Sequence, residues 1–197
     1  MSRLANPELA ERRRRQILDA ALSCFRRRGF HQTSMQEICT EADISAGALY
    51  RYFGSKSEII SAIAEDERSD SDVNFQAANV SVLEALCAMA QGFFRKIADG
   101  DGALVAEVLA EAWRDPVLAR NLAHIDAHYV EACAEMIGEG QKRGEVDSGL
   151  DPLLAARTLF AAIEGVALRG AVLGKSSVED AEAQFRALAE RYLSVRA

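Results

Sequence analysis

The chain has 197 residues, 49% of them hydrophobic and 27% charged, and a formal net charge of −7. That length allows one domain or two small ones, and the composition excludes a disordered or collagen-like chain. The acidity argues against a polyanionic partner only until it is divided along the chain: residues 1–56 carry +4 and residues 57–197 carry −11. A basic head and an acidic body point to separate tasks.

The chain opens MSRLANPELAERRRRQ, without the apolar core of a secretory leader. No uninterrupted apolar run reaches the roughly 20 residues of a membrane span. A cytoplasmic protein with no membrane partner is expected. The three prolines follow Asn6, Asp115 and Asp151. An Asx cap followed by Pro is a helix start, because the cap oxygen satisfies a free amide and Pro lacks one. Strand-like alternation is absent, so the fold class is all-α.

The first helix is expected from Glu8 to Arg28, since Ile17, Ala20, Ala21, Cys24 and Phe25 form one apolar stripe. Gly29 ends it. Thr33-Ser34 caps a short second helix through Ala42, with Ser34 and Glu37 spaced as a capping box. Asp43-Ile44 makes a tight turn, and Ser45 caps a third helix to about Phe53. Ser55 and Glu58 form a second capping box that starts a fourth helix. The polar stretch SDSDVNFQAANVS reads as a loop or a frayed end. Further helices are expected at about 82–98, 102–113, 116–142, 152–173 and 178–195, making about nine in total.

Two short helices joined by a turn, over Thr33–Phe53, form a helix-turn-helix, whose second helix enters the major groove. Ile38, Ala42, Ile44, Leu49 and Phe53 mark the buried side. Ser45, Ala46, Ala48, Arg51 and Tyr52 mark the other, and Arg51 has the reach to pair bidentately with guanine. The stretch TSMQEICTEADISAGALYRYFGSKSEII resembles the DNA-binding segment of TetR-family transcriptional regulators, and the resemblance extends over residues 10–60. One departure is Asp43, where the family often has Gly; Asp tolerates left-handed geometry better than most residues.

The resemblance implies a three-helix DNA-binding domain over residues 1–56, followed by a ligand-binding and dimerisation domain over 57–197. It places Tyr50 and Lys56 at phosphates, with Thr33 or Ser34 capping a helix whose amino end points at the DNA backbone. It sets Met35, Gln36, Ser45, Ala46, Gly47, Arg51 and Tyr52 at the bases or in the groove. The arginine runs Arg12–Arg15 and Arg26–Arg28 read mostly as solvated charge, with one or two facing DNA. In the body, Pro152–Leu173 is apolar on nearly every face, and Phe185, Leu188, Ala189, Tyr192 and Leu193 share a stripe. The family pairs these two helices with their twins, so a homodimer through 152–173 and 178–195 is implied, reading a palindromic or near-palindromic operator. Leu104–Leu122 is also similar to the regulatory domains of a TetR subgroup with betaine-type repressors.

Phe93, Phe94, Trp113, His124, His128, Tyr129, Cys133 and Met136 suit an apolar cavity with a few polar tips, the usual character of a small-molecule site. Trp113, Phe94 and Tyr129 are the leading wall candidates. His124 and His128, four residues apart, have the spacing to share a metal but lack a third ligand and an HExxH pattern, so no metal is assigned. The chain lacks a phosphate loop, GxGxxG and GxSxG, so neither an enzyme nor a cofactor is expected. Cys24, Cys39, Cys87 and Cys133 lack CxxC spacing and read as small buried residues; a redox switch at Cys87 or Cys133 is an alternative. The expected function is a repressor released from its operator by a small-molecule effector.

Overall fold

The computed structural model describes residues 7–70, 80–174 and 177–194. They are helical, with no strand among the described residues: α1 (Pro7–Arg28), α2 (Met35–Glu41), α3 (Ala46–Tyr50), α4 (Lys56–Asp70), α5 (Val82–Lys96), α6 (Gly102–Ala112), α7 (Pro116–Lys142), α8 (Pro152–Leu173) and α9 (Val178–Leu193). Most of the expected polar stretch before α5, residues 71–79, lies outside the described residues, as does Asn6.

Local chemistry sets most boundaries. Pro116 and Pro152 each open a helix. The Asp115 carboxylate accepts from the amides of Val117 and Leu118, and that of Asp151 accepts from the amide of Leu154 at 2.7 Å. Ser34 and Glu37 close the expected capping box. At α4 the box is modified: Ser55 accepts from the Glu58 amide, but the Glu58 carboxylate reaches back to the Gly54 amide. Between α5 and α6, where a glycine break is expected, the chain makes a π-helical turn (Ile97–Asp101) with Gly100 at φ 112°.

The chain divides into two compact units, and the division is not a single cut. The first unit joins the described residues of Met1–Ser71 to Ala103–Ala123; the second joins those of Asp72–Gly102 to His124–Ala197. In the first, Ile17, Phe25, Ile38, Leu49 and Ile59 from α1–α4 share one core with Leu104 and Val108 of α6 and Leu118 of α7. Burying each such side chain stabilises the unit by about 1.5–3 kcal/mol. Ion pairs brace its surface: Arg14 with Asp66 at 2.8 Å, Arg27 with Glu41 at 2.8 Å, and Arg28 with Glu37. Three arginines of the basic runs thus pair with acids of α2 and α4.

In the second unit α5 lies along α9, with the Phe94 and Phe185 rings edge-to-face at a centroid separation of 6.3 Å. Arg186 of α9 donates twice to the Glu84 carboxylate, at 2.7 and 3.0 Å. Gly140 of α7 packs so closely on α5 that a Cβ there would lie 2.4 Å from a methyl carbon of Val82.

Candidate nucleic-acid interface

The turn between α2 and α3 is built from backbone hydrogen bonds. The amides of Ala42 and Ile44 donate to the carbonyls of Ile38 and Cys39, at 2.9 and 3.0 Å. Asp43 holds φ at 51°, the left-handed geometry the family often gives to glycine. The Gln16 side-chain amide of α1 donates to the Ala42 carbonyl at 2.6 Å, fixing the end of α2. Ser45 then caps α3 by accepting from the Ala48 amide. α3 has five residues, ending at Tyr50 rather than near Phe53, because the next residues turn back so that Phe53 enters the core.

The structure sorts the expected DNA-facing residues by exposure. Ser34, Gln36, Ser45, Gly47 and Arg51 are exposed, and Tyr50 is 54% exposed although its neighbour Leu49 is fully buried. A Cβ on Gly47 would meet nothing within 4 Å, so this surface is open. Met35, Ala46 and Tyr52 are half-buried and pack against the core. The Arg51 guanidinium lies 5.6 Å from the Tyr52 ring centroid, which holds the side chain out from the helix end.

Thr33 is a correction. It is 2% exposed, and its hydroxyl donates to the carbonyls of Gly29 at 2.8 Å and Cys24 at 3.2 Å. It ties down the end of α1 and cannot reach a phosphate. Ser34 is the cap, and its side chain faces solvent.

Lys56, at the first position of α4, is half-buried. Its Nζ donates to the carbonyls of Phe30 at 2.5 Å and His31 at 3.1 Å, and sits 4.7 Å from the Phe30 ring centroid. Burial pushes this ammonium below the usual lysine range, against the opposing pull of Glu111 and Glu107. The same turn is also held by Glu107 of α6. Its carboxylate accepts from the amides of Phe30 at 2.6 Å and His31 at 3.2 Å. No local pattern marks this residue, because its partners lie 77 and 76 residues away in the chain.

The proposed effector residues do not assemble as expected. Trp113 is 91% exposed and belongs to the first unit, so it is no wall of a cavity in the second; it ends up outside because α6 stops at Ala112. Phe94 is core, packed on Phe185, and Cys133 is fully buried. His124 and His128 are exposed, while Phe93 and Tyr129 are half-buried. Tyr129 sits between His128 and Phe160, with centroid separations of 6.1 and 6.4 Å. Among the described residues no group of three His, Cys, Asp or Glu is placed to hold a metal ion. Burial pushes the Cys133 thiol up to about 12 and also raises Cys87, which disfavours the thiolate at both. Both shifts run against the thiolate that a redox switch at either position would use.

The profile described as bacterial regulatory proteins of the tetR family matches residues 17–63. The profile of the C-terminal part of BetI-type transcriptional repressors matches residues 82–194. The chain belongs to the TetR family. The chain is 29% identical over 163 residues to the HTH-type transcriptional regulator UidR of Escherichia coli K12, covering 80% of this chain and 81% of that one. Among solved structures, Salmonella enterica GusR superposes with a TM-score of 0.79 at 28% identity, over 98% of this chain and 99% of that one. The regulator FadR from Bacillus subtilis, solved with stearoyl-CoA, shares the fold with a TM-score of 0.74 at 22% identity, over 93% and 99%.

This TetR-family chain is therefore a DNA-binding transcriptional regulator. The match to the repressor body includes α6, although α6 packs into the core of the DNA-binding unit. No helix among the described residues is long and apolar enough to cross a membrane. Replacing Tyr50 with Phe removes only the exposed hydroxyl. The expected result is binding weakened by about 1 kcal/mol, the scale of one hydrogen bond, on every duplex alike. The salt slope should not change, because no charge is lost. Fluorescence anisotropy against salt checks this, and a loss confined to one sequence would refute the phosphate assignment.

Proposed function

We propose that the chain is a homodimeric repressor that holds two copies of α3 against successive major grooves of a palindromic or near-palindromic operator and leaves it when a small molecule binds the body. The exposed face Ser34, Gln36, Ser45, Gly47, Tyr50 and Arg51 carries the DNA-binding part of this reading. Residues 1–56 then read DNA and 57–197 sense and dimerise, with α4 and α6 lending their apolar faces to the reading head. One helix reads few base pairs, and two half-sites about one helical turn apart supply the missing specificity.

The dimer reading is supported by α8 and α9. Val172 is 83% exposed and Leu154 is 62% exposed, and Leu153, Leu173 and Leu188 are also exposed. Leu154, Thr158, Ala161, Gly165 and Val172 recur on one face of α8, a seam of mostly small side chains that admits close helix approach. For the effector, the half-buried Phe93, Tyr129 and Phe160 and the exposed His128 beside them offer aromatic surface with polar tips, and a neighbour of the same fold holds stearoyl-CoA. The effector acts through its different affinity for the DNA-competent and DNA-released states. In this reading the chain performs no catalysis, uses no cofactor and works in the cytoplasm.

The test is a selection of duplexes from a random-sequence pool by the full chain, followed by footprinting and a reporter carrying the selected site. The expected result is a two-fold symmetric site whose presence lowers reporter output. Failure to enrich any sequence would refute operator recognition, and enrichment of an isolated half-site would refute the dimer.

A further inference from the structure

We infer that Glu107 is a positioning residue of the DNA-reading head, through which the repressor body holds α2 and α3 in their DNA-competent orientation; this rests on the DNA-binding reading above. The turn Gly29–His31 joins α1 to α2, so its geometry sets where the helix-turn-helix stands. Side chains hold five of that turn's peptide groups. The Gly29 carbonyl accepts from Thr33, and the carbonyls of Phe30 and His31 accept from Lys56. The amides of Phe30 and His31 both donate to one carboxylate oxygen of Glu107.

The carboxylate also lies close to Gly29. Gly29 has φ of 83°, and a Cβ there would lie 2.6 Å from the other Glu107 oxygen. A side chain at Gly29 would have to displace this carboxylate, and the positive φ itself favours glycine. One helical turn further on, Glu111 stands 3.6 Å from His31 Nε2. Hydrogen bonds from amides to a carboxylate are the stronger, shorter kind. Three elements therefore meet at one turn: α4 supplies the cation, α6 the anion, and α1 ends between them.

The consequence lies in where Glu107 comes from. It falls within the residues matched to the repressor body, whereas Phe30, His31 and Lys56 fall within those matched to the DNA-binding part. Loss of this carboxylate strands two amides and frees the turn, while α6 stays seated in the same core through Leu104 and Val108.

The test separates positioning from charge. Glu107→Ala removes both acceptor and charge, Glu107→Gln removes the charge but keeps an oxygen acceptor, and Glu107→Met fills the space with neither. The full chain is titrated with a duplex selected by the wild-type protein and with a scrambled duplex of equal length. Removing an anion near DNA would by electrostatics alone leave affinity unchanged or raise it on both duplexes. Positioning reverses that sign on the selected duplex. Ala and Met should lose about tenfold or more there, the scale of a lost charge-assisted hydrogen bond, while the scrambled duplex binds no more weakly than before.

Gln should stay nearer to wild type than either. Identical behaviour of Ala, Met and Gln, or an intact ratio of selected to scrambled affinity in Ala and Met, would overturn the inference. Amide exchange at Phe30 and His31 gives an arm independent of DNA: it should quicken in Ala and Met and hardly in Gln. Unchanged exchange in all three would overturn the clamp. If the wild-type chain selects no duplex, it is the DNA-binding reading that fails, and the exchange arm still decides the clamp.

Discussion

Gly165→Glu is expected to convert the proposed dimer into a folded monomer and to lower operator affinity by about 10²- to 10⁴-fold, the usual gain from tethering two binding modules. Gly165 lies on the exposed face of α8, between Ala161 and Val172, and a Cβ there would meet nothing within 4 Å in its own chain. The protomer therefore has no reason to object. Glycine inside a helix costs about 1 kcal/mol relative to good helix formers, so the substitution favours α8 itself. Arg169, one turn further on, stands at the spacing that accepts a Glu–Arg pair.

Across a two-fold axis the outcome inverts. Two glutamates would face each other where close approach needs no side chain, and each would lose water without gaining a partner. Light scattering should give the monomer mass while the helical content stays that of the wild type. A dimer of unchanged stability would remove α8 from the interface.

Phe185→Ala is expected to lower the thermal midpoint by roughly 10 °C, from a loss of about 3–5 kcal/mol. Phe185 is fully buried on α9 and meets Phe94 edge-to-face. Its removal deletes the aromatic pair and leaves a cavity between α5 and α9, which the surrounding helices refill only in part. Since α9 also belongs to the proposed dimer, the variant should dissociate more readily as well. Circular dichroism melts at two protein concentrations separate the two effects. A shift below about 3 °C would mean that the site collapses around the smaller side chain.

The residues that sequence reading placed well are those whose partners lie close in the chain. Asp115, Asp151, Ser34 and Ser45 each satisfy an amide two or three residues away, so their spacing alone predicts a helix start. Asp43 adopts positive φ for an equally local reason, the closing of a turn between Ala42 and Ile44. Leu49 is assigned to the buried side by its apolar pattern, whereas the outward place of its neighbour Tyr50 came from the family resemblance.

The misplacements share another cause. Thr33 and Ser34 are adjacent hydroxyls with equal claims to a cap, and only the approach of the α1 carbonyls decides which one turns inward. Trp113 carries the chemistry of a pocket wall, but the end of α6 and the membership of α6 in the first unit leave it in solvent.

From the sequence alone came the helices, their caps, the helix-turn-helix and the division of charge into a +4 head and a −11 body. These rest on hydrogen bonds and periodicities that span a few residues, so adjacency in the chain suffices to specify them. Only the tertiary structure decided that Lys56 holds the carbonyls and Glu107 the amides of one turn, that α6 completes the core of the head, and which side chains of the body are buried. Those outcomes depend on surfaces brought together from far apart in the chain, where packing and desolvation select partners that no local spacing records.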